Sequence, residues 1–163
     1  MNYKRLGSTA ALLLVLIFPA SASMVSFLLI ETGLNEGIPA TQYGSLWEGG
    51  LMEIFFDAGY IVTNSPITRM EKRPAEDLGG SVKTDFDEAV EGGAEYFILG
   101  FLNYQTQGRG AIPTEITIKL YQTDPRQLVF EQSFPAGRGK TLHEEYQHAQ
   151  SAGRAIISQI KDR

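Results

Sequence analysis

The chain has 163 residues, of which 43% are hydrophobic and 20% are charged, and it contains no cysteine. This composition fits one globular domain and excludes a disordered chain, a disulfide framework and thiolate chemistry. With 14 basic against 19 acidic side chains the net charge is −5, which excludes nucleic acid as an expected partner.

The amino-terminal segment has the three parts of a secretory signal peptide. Lys4 and Arg5 precede an apolar stretch of the length such signals have, and Ala20-Ser21-Ala22 forms an A-x-A cleavage site. We therefore expect residues 1–22 to be removed and residues 23–163 to form a periplasmic domain without stable membrane insertion. An uncleaved amino-terminal anchor is the less favoured alternative, because the apolar pattern resumes directly after the cleavage site.

The mature chain begins with alternating strand and helix patterns. An apolar run at 24–30 predicts a buried strand, and the apolar spacing from Ser45 to Ala58 predicts a helix capped by that serine. A short strand is predicted at 60–63. Residues 64–83 form the longest polar stretch, which predicts a long loop. This loop is either a partner contact or a plain solvated connection.

The second half centres on an apolar strand. A helix predicted to begin at a capping box at Thr84 ends at Gly92, and the run from 96 to 102 follows without polar alternation. Such a run predicts an interior strand covered on both faces. Residues 105–113 predict a flexible hairpin tip, and the alternation at 115–121 predicts a strand with one face in water.

The chain closes with a hairpin and a long helix. A turn at 123–126 joins the preceding strand to a partner strand at 128–134, and Thr141 and Glu144 match the capping box of a helix that reaches about residue 160. The predicted order is β-α-β-α-β-β-β-α. It indicates a single mixed α/β domain whose sheet has a parallel and an antiparallel part.

Several segments resemble the periplasmic α/β domain shared by the TolB amino-terminal domain, the LpoB kind of penicillin-binding-protein activator and the curli secretion protein CsgG. They are the strand entry Gly93–Gly100, the hairpin strands 116–121 and 130–134, and the closing helix at 155–160. The resemblance implies a non-enzymatic domain that binds another envelope or periplasmic protein as scaffold, regulator or assembly factor. Unlike members of that group, the chain shows no propeller, no acylatable cysteine and no membrane-spanning hairpin.

The sequence shows no constellation for catalysis. His143 and His148 are the only histidines, and a spacing of five on a helix separates them by about 140°, which prevents them from sharing a metal ion. No serine lies in a G-x-S-x-G context. We therefore predict no catalytic residue, no metal, no cofactor and no enzymatic activity.

Two groups of residues are candidates for binding, and an exposed sheet edge is a further candidate contact surface. The first combines basic side chains of the long loop, the glycine-rich tip and tyrosines expected outside the core, namely Arg69, Lys72, Arg73, Tyr104, Arg109 and Tyr121. The second supports an alternative function, the binding of a small ligand or anion at the start of the last helix by Arg138, Lys140 and Thr141. A basic loop with an ordinary helix cap is the plainer interpretation of that segment.

Overall fold

A six-stranded mixed sheet forms the centre of the computed structural model, which describes residues 22–34, 42–107 and 110–161. The predicted signal peptide lies almost wholly outside these residues. In chain order the elements are β1 (Met24–Thr32), α1 (Tyr43–Asp57), β2 (Ile61–Asn64), β3 (Thr68–Met70), α2 (Gly80–Glu91), β4 (Tyr96–Gln107), β5 (Gly110–Gln122), β6 (Gln127–Pro135) and α3 (Leu142–Lys161).

The sheet has the predicted parallel and antiparallel parts. The strand order is β2-β1-β4-β5-β6, and β3 also pairs with β1. Strand β1 runs parallel to β2, β3 and β4, whereas β4, β5 and β6 follow one another antiparallel. The predicted order of elements is confirmed, with β3 as an additional short strand inside the 64–83 segment. Strand β4 lies between β1 and β5, so the prediction of an interior strand is also confirmed.

The helices cover both faces of the sheet. Ile98 and Leu102 of β4 belong to the core under α1 and α3, and we call this the α1/α3 face. Phe97, Leu99 and Phe101 alternate with them and pack on the opposite side with Phe86 and other residues of α2, on the α2 face. This alternation explains why the sequence of β4 is apolar at nearly every position.

The prediction of a wet face on β5 is wrong. Thr117, Lys119 and Tyr121 are buried, with exposures of 5%, 7% and 7%. The segment between β3 and α2 crosses this part of the α2 face, and Leu78 packs against its apolar cluster. The alternating polar residues of β5 therefore face a polar segment of the chain. The sequence pattern is the same for a face in contact with such a segment and for a face in contact with water.

Several predicted boundaries differ from the structure. Helix α1 begins at Tyr43, before Ser45, and Gln42 caps it without a side-chain hydrogen bond. Helix α2 begins at Gly80, so the capping box predicted at Thr84 lies inside it and is wrong. Gly80 has a φ of 56°, a left-handed value that favours glycine. The chain turns into α2 at this residue, one turn earlier than the sequence predicts.

The hairpin strands are longer than predicted, and their outer pairing is irregular. Strand β4 continues to Gln107 and β5 starts at Gly110, so most of the predicted tip is strand. The pairing of β5 with β6 shifts register between Leu120 and Tyr121. No helix in the described part of the chain is long and apolar enough to cross a membrane.

Helices α1 and α3 cross at small residues. A Cβ added to Gly50 would lie 2.7 Å from the Cβ of Ala149 and 3.0 Å from the carbonyl oxygen of Tyr146. A Cβ on the preceding Gly49 would lie 3.5 Å from the ring of Tyr146, an ordinary contact. Gly50 is therefore required for the close approach of the helices, and Gly49 is not.

This difference predicts opposite effects for two neighbouring substitutions. Gly50→Ala should destabilise the protein by about 1–3 kcal/mol, because the methyl group overpacks the helix crossing. Gly49→Ala should stabilise it by up to about 1 kcal/mol, because alanine favours the helix and meets no clash. Urea denaturation of both variants measures the two free energies. Equal effects of the same sign would contradict the prediction.

Candidate functional site

Strand β6 forms an exposed edge of the sheet. Within the described residues it pairs only with β5, and most of its residues are exposed. The amide of Ala136 donates to the carbonyl of Thr114 at 3.1 Å, which sets the phase of the ladder. Because antiparallel backbone groups alternate in direction, Glu131 and Ser133 turn their amides and carbonyls away from β5. These groups are available to another strand.

The sequence of β6 has few features that prevent such pairing. Glu131 is its single charged residue, and its carboxylate lies 3.1 Å from the Nζ of Lys119. Pro135, which lacks an amide, limits the edge only at its carboxyl end. The opposite edge is different, because β2 and β3 are short and Pro66 lies between them. Strand β6 is therefore the more open of the two edges.

A cavity of about 400 Å³ lies beside β6, between this strand and the first half of α3. It is lined by Trp47, Phe134, Pro135, Arg138, His148, Ser151 and Ala152. Most of its surface is apolar, and the exposed side chains of Arg138 and His148 add basic groups. Its size lies within the range of small-molecule sites.

A buried carboxylate organises the chain next to this cavity. Glu145 is 1% exposed and accepts hydrogen bonds from the amides of Gly137 at 2.7 Å and Gly139 at 3.0 Å. The indole of Trp47 donates to it at 2.8 Å. Burial alone raises the pKa of Glu145, but these donors outweigh it and hold the pKa below its ordinary value. The ionised carboxylate thus joins α1, α3 and the connecting loop.

Thr141 caps the start of α3 as predicted, and its hydroxyl accepts from the amide of Glu144 at 3.1 Å. The reciprocal bond differs from a capping box by one residue, because the Glu144 carboxylate accepts from the amide of Lys140 at 2.7 Å. Together with the bonds to Glu145, the chain's own side chains occupy the amides of residues 137, 139, 140 and 144. The anion site predicted here therefore lacks those amides, although Arg138 and Lys140 are exposed as expected.

The basic residues of the 64–83 segment largely contact the chain itself. Arg69 lies in β3, and its Nε donates to the Glu31 carboxylate at 2.9 Å. Arg73 lies 3.0 Å from the carboxylate of Asp77, whereas Lys72 is exposed. The segment that the sequence suggests for partner contact therefore also holds the fold together.

The tyrosines expected outside the core are buried, so that expectation is wrong. Tyr104 is 6% exposed and its hydroxyl donates to Glu31 at 2.7 Å. Tyr121 is 7% exposed and its hydroxyl donates to Asp77 at 3.1 Å. Tyr104 lies in the core on the α1/α3 face and Tyr121 in the core on the α2 face. Each hydroxyl donates to a carboxylate of the same chain. Arg109 lies outside the described residues.

Asp77 fixes the covering segment to the sheet. Its carboxylate lies 2.5 Å from the Nζ of Lys119 and also binds Arg73 and Tyr121. The guanidinium of Arg73 lies 4.3 Å from the ring centroid of Phe101. Desolvation opposes ionisation of Asp77, but the hydrogen bonds from Lys119 and Arg73 outweigh it and lower the pKa of Asp77. Burial and the neighbouring Asp77 raise the pKa of Tyr121.

Sequence reasoning missed the residues that organise these regions. Asp77 and Lys119 are 42 positions apart, and Trp47 and Glu145 are 98 positions apart. Glu145 follows the capping glutamate directly, so it looks like a second acidic residue favoured by the helix dipole. The one available signal was the single tryptophan of the chain, since a buried indole needs an acceptor.

Comparison with known proteins shows the family and the fold class. A family model described as "Uncharacterised protein" matches residues 39–132, more than half of the sequence, and the chain belongs to that family. No curated protein matches the sequence. The PelC dodecamer from Paraburkholderia phytofirmans has a similar structure, with a TM-score of 0.50 and 16% identity over 85% of this chain and 86% of that chain.

Two further solved structures show more distant similarity. A lipoprotein from Neisseria meningitidis has a TM-score of 0.40 and 12% identity over 88% of this chain and 100% of its own. TolB from Acinetobacter baumannii has a TM-score of 0.38 and 14% identity over 88% of this chain and 28% of its own. TolB belongs to the group that the sequence resembles. At these identities the similarity to PelC shows a shared fold and nothing about function.

Because the pKa of Glu145 is lowered, we predict that Glu145→Gln reduces the free energy of unfolding by an amount that depends on pH. A carboxylate with a lowered folded pKa stabilises the protein above its unfolded pKa of about 4.3, and this contribution disappears as the pH falls through the folded value. The substitution should therefore cost about 1–3 kcal/mol at pH 7, and less below about pH 4. Denaturant titrations across this range measure the difference.

Glu144→Gln is the control for this measurement. Glutamine also serves in a capping box, so this variant should remain close to the original stability at neutral pH. A cost of Glu145→Gln that does not change with pH would contradict an ionised, stabilising carboxylate.

The Asp77 contacts predict local opening in Asp77→Asn. Without the charge, the buried ammonium of Lys119 retains only Glu131 as an ionic partner, and the free energy of unfolding should fall by about 1–3 kcal/mol. The covering segment should loosen, and trypsin should cut after Lys72 faster. Asp87→Asn, which removes the exposed pair with Lys83, should change stability by less than about 0.5 kcal/mol. Unchanged cleavage in Asp77→Asn would refute the role assigned to Asp77.

Proposed function

We propose that this chain is a non-enzymatic protein-interaction domain of the bacterial cell envelope. It acts in the periplasm as a scaffold, regulator or assembly factor of an envelope complex. The observation that carries the proposal is the exposed backbone of β6, to which a partner adds a strand. The signal-peptide pattern supports the periplasmic location, and the sequence resemblance to the TolB, LpoB and CsgG group supports an envelope role.

The distribution of contacts favours β6 over the loop that the sequence suggests. Arg69 and Arg73 in the 64–83 segment bind Glu31 and Asp77 of the same chain. The amides of Glu131 and Ser133 point away from β5 and take no part in its ladder. The fold is shared with PelC, whose solved structure is a dodecamer. The partner proposed here is another envelope protein.

Ser133→Pro tests the proposal. Proline removes the outward amide of Ser133, in the same orientation that Pro135 already occupies in β6, and leaves the inward ladder groups intact. Loss of one backbone hydrogen bond and the bulk of the ring should weaken partner binding about tenfold. Affinity capture from cross-linked cells, followed by mass spectrometry, identifies the partner. The same measurement compares the amount of partner captured by the original protein and by Ser133→Pro.

Ser133→Ala is the matched control. Both substitutions remove the 2.9 Å hydrogen bond between the hydroxyls of Ser133 and Thr117, but alanine keeps the backbone amide. Alanine should therefore retain the partner. Size-exclusion chromatography of the isolated protein shows whether a second copy of the chain supplies the strand. Equal capture by the proline and alanine variants would overturn the proposed edge.

A further inference from the structure

We infer that the cavity beside β6 binds a small organic carboxylate with an apolar body. The proposal does not require strand addition at β6, so its failure and the failure of the proposed function are distinguishable. It differs from the anion site predicted at the start of α3, because it uses side chains and a concave apolar surface and does not use the helix amides.

The walls of the cavity determine the body of the ligand. Phe134 and Pro135 of β6 contribute accessible apolar surface, and the buried side chains of Trp47 and Ala152 also line the cavity. The volume of about 400 Å³ accommodates a medium-length acyl chain or a fused aromatic ring. Transfer of such a group from water into this surface is favourable, because it removes apolar area from solvent.

The charge beside the walls determines the head group. Arg138 lines the cavity and has no ion pair or side-chain hydrogen bond within the described residues. A guanidinium with free donors suits a carboxylate, which it binds in a bidentate manner. His148, also on the cavity wall, adds a second donor.

The nearby Glu145 does not cancel this preference. Its carboxylate is 1% exposed and accepts hydrogen bonds from Trp47 of α1 and from the loop amides of Gly137 and Gly139. His148 lies 3.7 Å from it, beyond a hydrogen bond. The accessible charge at the cavity is therefore the guanidinium of Arg138, and an anionic head group complements it.

The cavity contains its own reporter. The chain has one tryptophan, Trp47, which lines the cavity and donates its indole N–H to Glu145. A bound ligand changes the surroundings of this ring, and fluorescence excited selectively at the tryptophan, not at the seven tyrosines, follows that change. Isothermal titration calorimetry provides a second measurement that does not depend on the ring.

The test is a titration of the purified protein with decanoate, kept below the concentration at which it forms micelles. Decanol and decyltrimethylammonium have the same chain without the negative charge. We expect saturable binding of decanoate, binding of decanol that is about tenfold weaker, and no binding of the cation. Equal affinity for decanoate and decanol would overturn the assignment of a carboxylate site, and so would no binding of decanoate.

Matched substitutions locate the site. Arg138→Gln should weaken decanoate binding about tenfold and leave decanol unaffected, because it removes the charged donor alone. Lys140→Gln removes an exposed charge from the same loop, outside the cavity lining, and should have no effect. An equal loss in both variants would show long-range attraction and overturn the site.

A second pair of substitutions tests the cavity itself. Ser151→Phe places a ring at the exposed edge of the cavity and should abolish decanoate binding. Ser158→Phe makes the same change at an exposed position two turns further along α3 and should leave binding unchanged. Thermal unfolding verifies that both variants fold. If Ser151→Phe does not fold, the comparison of Arg138→Gln with Lys140→Gln still decides the proposal. Unchanged binding in a folded Ser151→Phe variant would overturn it.

Discussion

Both faces of the six-stranded sheet have to be shielded from water, but two helices pack on one face and one helix packs on the other. Helices α1 and α3 together cover one face, whereas the 12-residue α2 alone lies on the other. The segment between β3 and α2 makes up the difference, and Asp77 binds it to Lys119 of β5. Without that ionic contact, the buried ammonium and the ring of Tyr121 would lose their cover together.

The other face depends on a different carboxylate. Helices α1 and α3 approach closely at Gly50, and Glu145 joins them through the indole of Trp47 and the loop that enters α3. The loop that enters α3 carries Arg138, and α3 carries His148. The hydrogen bonds of Glu145 therefore also position one wall of the cavity. The cavity and the outer strand are therefore positioned by one group of hydrogen bonds.

The sequence predicts the order of elements because that order depends on local patterns. The apolar run of β4, the hairpin turn after β5 and the cap formed by Thr141 all act within a few residues, and each is confirmed. The start of α2 was missed because its first turn follows Gly80, whose left-handed φ is not visible in an apolar pattern. The prediction that one face of β5 contacts water was wrong, because polar residues are favoured both in water and under a polar covering segment.

The site was harder to predict than the fold because it depends on pairs that are far apart in sequence. The basic residues of the 64–83 segment looked available for a partner, yet Arg69 and Arg73 have acceptors on β1 and in the segment itself. The exposed edge of β6 could not be identified from the sequence, because edge position depends on which strand pairs last. The sequence shows that β6 has only one charged residue. This fact points to an open edge only when the strand order places β6 at the end of the sheet.

The register shift between Leu120 and Tyr121 limits what β6 can recognise. Such an irregularity bends the strand and increases its local twist, so the regular part of the edge runs only from Phe130 to Pro135. At about 3.3 Å per residue this part spans about 20 Å. That is the length of one ordinary strand, so this edge offers regular backbone pairing to a single strand of usual size. The geometry of one bulge thus confines the regular hydrogen-bonding groups of the edge to residues 130–135.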